Sequence, residues 1–120
     1  MFTIRKSFAF SAAHHLLGLP ATHQCARFHG HNYVVVVELA NNKLNDIGFV
    51  QDYGEMKPIK EYIDKTLDHR DLNEIIPVSN PTAENMAFYF FHYFRDHLGF
   101  KNIKAVEVSE TPLTNCRFEL

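Results

Sequence analysis

The chain has 120 residues, 46% of them hydrophobic, with 12 Lys and Arg against 14 Asp and Glu. That is apolar material for one core, read as a single domain over residues 1–120, without the positive charge of a general nucleic-acid binder or an apolar run of membrane-spanning length. Two cysteines make no disulfide framework, and residues 1–6 lack the apolar stretch of a secretion signal, so a reducing cytoplasm is the expected compartment.

Phe2, Ile4, Phe8, Phe10 and Ala12 alternate with Thr3, Arg5, Ser7, Ala9 and Ser11. This is a strand with one buried face, interrupted only by Lys6. The next position on that face is His14, and His15 points the other way unless a bulge shifts the register. Residues 16–28, with Gly18 and Pro20, read as a loop. Residues 31–40 form a second strand around a run of four valines. Asn41-Asn42 and Asn45-Asp46 mark a hairpin turn, with 47–51 expected as a short returning strand.

Asp52 is the expected N-cap of a first helix, with Glu55 at capping-box spacing. Met56, Ile59, Ile63 and Leu67 then recur at helical spacing. Pro58 requires either a later start or a bend. Residues 68–73 form a polar segment, and a second loop runs to Pro81. Thr82 caps a second helix, which Gly99 ends. Its stripe is Met86, Ala87, Phe90, Phe91, Phe94 and Leu98, widened by Phe88, Tyr89 and Tyr93. Such a helix packs on two sides or against another subunit. Residues 103–111 form a strand, and Cys116, Phe118 and Leu120 alternate in a last one. The class is α+β: an antiparallel sheet of four or five strands with two helices on one face.

The densest chemistry is Cys25-Ala26-Arg27-Phe28-His29-Gly30-His31. In a strand, His29 and His31 share a side. Pairing the first two strands antiparallel brings His14 beside them. Three neutral imidazoles leave one tetrahedral zinc position open, the arrangement of a catalytic site. Ordinary structural histidines and a closed site with Cys25 as fourth ligand are the alternatives. Cys25 has the polar neighbours Gln24, Arg27 and His29, and a thiolate beside a metal-held substrate can serve as general base. Cys116 reads as packing. Asp68-His69 sets a carboxylate beside an imidazole. Glu110 interrupts the apolar face of Val106 and Val108, where a carboxylate needs a partner or a ligand with N–H donors. His23, His92 and His97 join no constellation.

Five blocks in order, Phe10-Ser11-Ala12-Ala13-His14, Cys25 to Tyr33, Leu67 to Asn73, Asn80 to Asn85 and Glu110-Thr111, resemble the 6-pyruvoyltetrahydropterin synthase / 6-carboxytetrahydropterin synthase family. The resemblance covers essentially the whole chain. It implies a tunnelling fold (T-fold), homo-oligomers (trimers, usually stacked as hexamers) and active sites between subunits. It implies zinc on His14, His29 and His31, Cys25 as proton acceptor, and Asp68 and His69 as a relay serving the thiol. Glu110 would anchor the pterin ring and take part in the relay, and Thr82 would line the pterin pocket. The implied substrate is 7,8-dihydroneopterin triphosphate, with Arg27 as a candidate for its phosphates. The short chain looks like the bacterial 6-carboxytetrahydropterin synthases of the queuosine pathway, which release acetaldehyde and triphosphate. The 6-pyruvoyl branch eliminates triphosphate only. A third branch, which serves folate synthesis, typically carries Glu near the cysteine position, and Cys25 argues against it. A non-catalytic zinc- or pterin-binding module is the alternative outside enzymes.

Overall fold

The computed structural model describes all of residues 1–120. Its sheet has four strands, β1 (Phe2–His14), β2 (His29–Asn41), β3 (Ile103–Ser109) and β4 (Cys116–Glu119), in the order β1-β2-β3-β4. Every pairing is antiparallel. The helical elements are α1 (Lys57–Tyr62), a single turn α2 (Leu72–Ile75) and α3 (Ala83–Asp96). The α+β class, with helices on one sheet face, is the expected one.

The alternation in β1 does what its pattern implies. Phe8, Phe10, Ala12 and His14 are buried, and so are Tyr33, Val35, Val37 and Leu39 of β2. Val35 and Val37 pair with Val108 and Val106, which continues the apolar face across β3. Lys6 stays on that side by laying its ammonium over the Phe8 ring, 5.6 Å from the centroid, so its stem is covered and its charge stays wet.

The wide apolar surface of α3 is met on two sides within the chain. The Tyr93 ring lies against that of Tyr62, centroids 4.4 Å apart and tilted by 31°. Phe91 and Phe88 meet Phe118 of β4 at 5.1 and 5.0 Å. Phe88 nevertheless remains 51% exposed. Thr82 caps α3 by accepting from the Asn85 N–H, and Gly99, at φ 82°, ends it.

Residues 47–51 form no strand, which corrects the expected returning strand. The Asn45 side-chain oxygen collects the amides of Ile47, Gly48 and Phe49, and Gly48 takes φ 102°. Both edges of β2 are already taken by β1 and β3, so a returning segment has no edge of β2 to join. The sheet therefore has four strands and not five. The second strand starts two residues earlier than expected, at His29, and the third ends at Ser109.

The first helix starts late, as Pro58 demands. Asp52 opens a 3₁₀ turn (Tyr53–Met56) by accepting from the Gly54 N–H, and Pro58 sits in the first turn of α1. The Asp52 side chain thus caps Gly54, not Glu55 as a capping box requires. The last turn, Ile63–Leu67, widens to π geometry, closed by Asp68 N–H on the Ile63 carbonyl. The turn buries Ile63 and Leu67 before the chain leaves toward β1.

On the face away from the helices, Glu38 is buried between Arg5 and Arg117, and both guanidiniums also reach Glu107, at 2.7 and 3.0 Å. Arg5 above all holds the Glu107 carboxyl below its ordinary range. A carboxyl depressed in the folded state adds stability above its unfolded pKa, and that stability is lost as pH falls through the folded value. Urea midpoints measured from pH 7 to pH 3 are therefore expected to converge for wild type and Glu107→Gln as the solution becomes acid. Parallel curves would show that Glu107 carries no pH-linked stability.

Candidate metal centre and its surroundings

The register of β1 on β2 builds the site. His14 is the Cα partner of His29, and Ala12 that of His31. Positions 14, 29 and 31 therefore point to the same, helix-covered side. One ligand nitrogen from each of the three rings lies within 4.8 Å of the others. His14 is fully buried. His15 turns away, as its parity requires, and packs against Phe28 with ring centroids 5.9 Å apart.

Two backbone carbonyls orient the rings. His14 Nδ1 lies 2.8 Å from the Pro81 carbonyl, and His29 Nδ1 lies 2.7 Å from that of Arg27. A carbonyl only accepts, so each Nδ1 carries the proton and each neutral ring presents a bare Nε2 lone pair. Those two Nε2 atoms are 3.1 Å apart, and two facing lone pairs at that distance call for a cation between them. His31 Nε2 is buried with no hydrogen-bond partner. Burial lowers the His31 pKa, with Glu110 opposing and His14 and His29 adding to the fall, so the ring stays in its neutral, ligating form. The donor set thus fits a transition-metal ion bound by imidazoles, each oriented by a backbone partner where one is present.

Tyr33 forms the floor, edge-on to His14 and His31 at 5.8 and 5.5 Å and stacked on Phe10 at 5.0 Å. The Glu110 Oε2 comes within 3.2 Å of His14 Nε2 and 3.3 Å of His31 Nε2. The carboxylate that interrupts the face of Val106 and Val108 thus faces the triad, and an anionic oxygen opposite bare ring nitrogens again calls for a cation between them.

Cys25 sits in a short 3₁₀ turn (Gln24–Ala26), partly buried. Its thiol does not join the cluster of potential ligand atoms, which is His14, His29 and His31 alone. A closed site with sulfur as fourth ligand is therefore not the arrangement seen. Cys25 instead lines a cavity of about 250 Å³ together with Gln24, His29 and His31. Cys116 is packed against the core from β4.

Asp68 and His69 are joined, His69 Nδ1 to Asp68 Oδ2, at 2.9 Å. Asp68 Oδ1 accepts from the Ser11 N–H. That bond first, and His69 second, lower the Asp68 pKa. His69 takes a left-handed φ of 59°, rare outside glycine, where its N–H reaches the Ser11 carbonyl at 2.6 Å. The imidazole is 81% exposed and faces a cavity of about 520 Å³ that does not include Cys25; the two cavities share only His31. Thr82 serves as the α3 cap. Arg27 is exposed, and its carbonyl holds His29. The carbonyls of Pro81 and Arg27 could not be found from side-chain chemistry. Their only signal was adjacency to Thr82 and His29.

Comparison with known proteins finds relatives along essentially the whole chain. The family model described as 6-pyruvoyl tetrahydropterin synthase matches residues 3–120. A Synechocystis protein named 6-carboxy-5,6,7,8-tetrahydropterin synthase is 31% identical, over 98% of this chain and 93% of its own. A Bacillus subtilis protein of the same name is also 31% identical, over 96% of this chain and 83% of its own. The solved Caenorhabditis elegans 6-pyruvoyl tetrahydropterin synthase superposes with a TM-score of 0.86 at 27% identity, over 99% of this chain and 95% of that one.

Metal content separates ligands from neighbours. His29→Ala is expected to purify with less than about one tenth of the wild-type metal after dialysis, since losing one of three ligands removes most of the affinity, whereas Cys25→Ala keeps the wild-type amount. Elemental analysis of both decides. Equal loss in both would place the sulfur on the ion.

Proposed function

The chain belongs to the 6-pyruvoyl tetrahydropterin synthase family, and on that premise we propose that it is a lyase that converts 7,8-dihydroneopterin triphosphate to 6-carboxy-5,6,7,8-tetrahydropterin, releasing acetaldehyde and triphosphate. The names of its bacterial relatives favour this branch. The observation that carries the reading is three converging imidazole nitrogens beside a cavity lined by a free thiol. The protein acts as one domain over residues 1–120, in the cytoplasm, in queuosine synthesis. No helix is long and apolar enough to cross a membrane.

Zn²⁺ on His14, His29 and His31 supplies Lewis acidity toward the substrate side chain. Cys25 accepts the proton from that side chain, and its cavity opens onto His29 and His31. Asp68 keeps His69 oriented through the 2.9 Å contact, so the imidazole can pass protons to and from the thiol. Because His69 and Cys25 line different cavities of one protomer, the relay closes between subunits of a homo-oligomer, a trimer or a hexamer of two trimers. The outer edge of β1 has no neighbouring strand from Phe2 to Phe10, and neither does that of β4, which leaves strand edges for such contacts. Glu110 anchors the N–H edge of the pterin ring, Thr82 borders that ring, and exposed Arg27 meets the triphosphate.

The second reading, 6-pyruvoyltetrahydropterin synthase, draws on the fold match to the nematode enzyme. Product analysis separates the two. Incubation with 7,8-dihydroneopterin triphosphate is expected to yield acetaldehyde and triphosphate in equal amounts, and Cys25→Ala is expected to lower kcat at least about 100-fold, the scale of a lost general base, with metal retained. Triphosphate without acetaldehyde would select the 6-pyruvoyl branch. Metal and pterin binding without turnover in the wild type would make the protein a binding module.

A further inference from the structure

The segment between α1 and α3 fastens to the outer edge of β1 and to the residues that continue it. Ser11 takes Asp68 and His69, and the Ala13 N–H takes the Arg70 carbonyl. Two carboxamides extend the series. Asn73 Oδ1 accepts from the His15 N–H at 2.9 Å, and Asn73 Nδ2 donates to the His15 carbonyl at 3.0 Å. Asn80 does the same at Leu17, at 2.7 and 2.8 Å. A carboxamide carries a coplanar acceptor and donor, like a peptide group, so each asparagine stands in for a residue of a neighbouring strand.

In extended chain the backbone groups of alternate residues face opposite ways. With His15 and Leu17 turned toward the asparagines, the N–H of Leu16 faces the other side. There it donates to the Cys25 carbonyl at 2.8 Å. The other backbone bonds of the thiol turn, from His23 to Pro20, Ala26 to His23 and Arg27 to Gln24, close within the turn itself. The Leu16 bond is thus its tie to the rest of the chain ahead of β2.

We propose that Asn73 and Asn80 are positioning residues for the Cys25 thiol, acting through the clamped segment from His15 to Leu17. Asn80 also ties the thiol to the metal centre. Its own carbonyl is held by Asn85 Nδ2 at 2.9 Å, and the carbonyl of the next residue, Pro81, orients His14. One turn before α3 therefore sets the thiol segment with a side chain and a metal ligand with a carbonyl. Loss of the clamp displaces sulfur from the triad while both remain present, and a displacement of this kind lowers turnover more than binding.

The effect on turnover rests on the assignment of Cys25 as proton acceptor, so the test reads thiol placement separately. In the metal-loaded protein carrying Cys116→Ser, the rate of Cys25 alkylation by iodoacetamide is measured at fixed pH. Asn73→Ala and Asn80→Ala are each expected to raise it about tenfold, the scale of the two hydrogen bonds that each variant loses. Metal content stays at the wild-type level, kcat falls about tenfold or more and KM stays within about twofold. If either alanine variant fails to fold, Asn80→Asp decides, because it keeps the bond from Leu17 N–H and loses only the one to the Leu17 carbonyl. Its alkylation is expected to exceed wild type. A wild-type alkylation rate in the folded variants overturns the clamp, whatever happens to turnover. Faster alkylation in a protein whose Cys25→Ala variant still turns over supports the clamp and removes the role given to Cys25.

Discussion

The antiparallel pairing of β1 with β2, in the register that sets His14 opposite His29, is the constraint on which the site depends. Side chains in a strand alternate between faces, so a slip of one residue would send an entire set to the other side. Here such a slip would expose Phe8 and Phe10 and scatter the imidazoles in one step. The same pairing that buries Tyr33, Val35 and Val37 therefore also assembles the three-histidine cluster that could hold a metal ion. Core formation and ligand convergence have a common cause, and the apolar residues stabilise the site without touching an ion.

A second set of contacts converts this frame into an active centre. The last residues of β1 and their continuation are polar-edge territory, and the chain from Asp68 to Asn80 covers that edge with carboxylate, backbone and carboxamide groups. The edge is thereby satisfied, and His14, Asp68, His69 and the Cys25 turn are all held from it. His14 ends the strand, Asp68 and His69 dock on Ser11, and the thiol turn hangs from Leu16. The π turn at Ile63–Leu67 makes this docking possible. One extra residue in the turn buries Leu67 and releases Asp68 toward Ser11, and such bulges recur where a helix must deliver a functional residue.

Much of this was legible in the sequence because period-2 alternation is a strict geometric rule. It separated His14 from His15, put His29 beside His31, and marked Phe8, Phe10 and Ala12 as core, whereas the run of four valines in β2 did not show which of them face inward. Caps with a mechanism, such as Thr82 and Gly99, were readable for the same reason. Residues 47–51 were misread because hydrophobic alternation says nothing about whether a free edge exists, and β3 had already taken the one on β2. The ring-orienting carbonyls of Pro81 and Arg27 carry no side-chain signature, and the π turn has none either. Asn73 and Asn80 were visible as parts of motifs, but their task is to imitate backbone, and only the paired donor and acceptor distances reveal it.

The central claim is that three imidazoles, and no sulfur, hold the ion. X-ray absorption at the zinc edge of the metal-loaded protein tests it most directly. The account predicts three nitrogen neighbours and one light-atom neighbour at about 2.0–2.1 Å. A sulfur shell near 2.3 Å would contradict it, because Cys25 would then close the coordination sphere that the chemistry needs open.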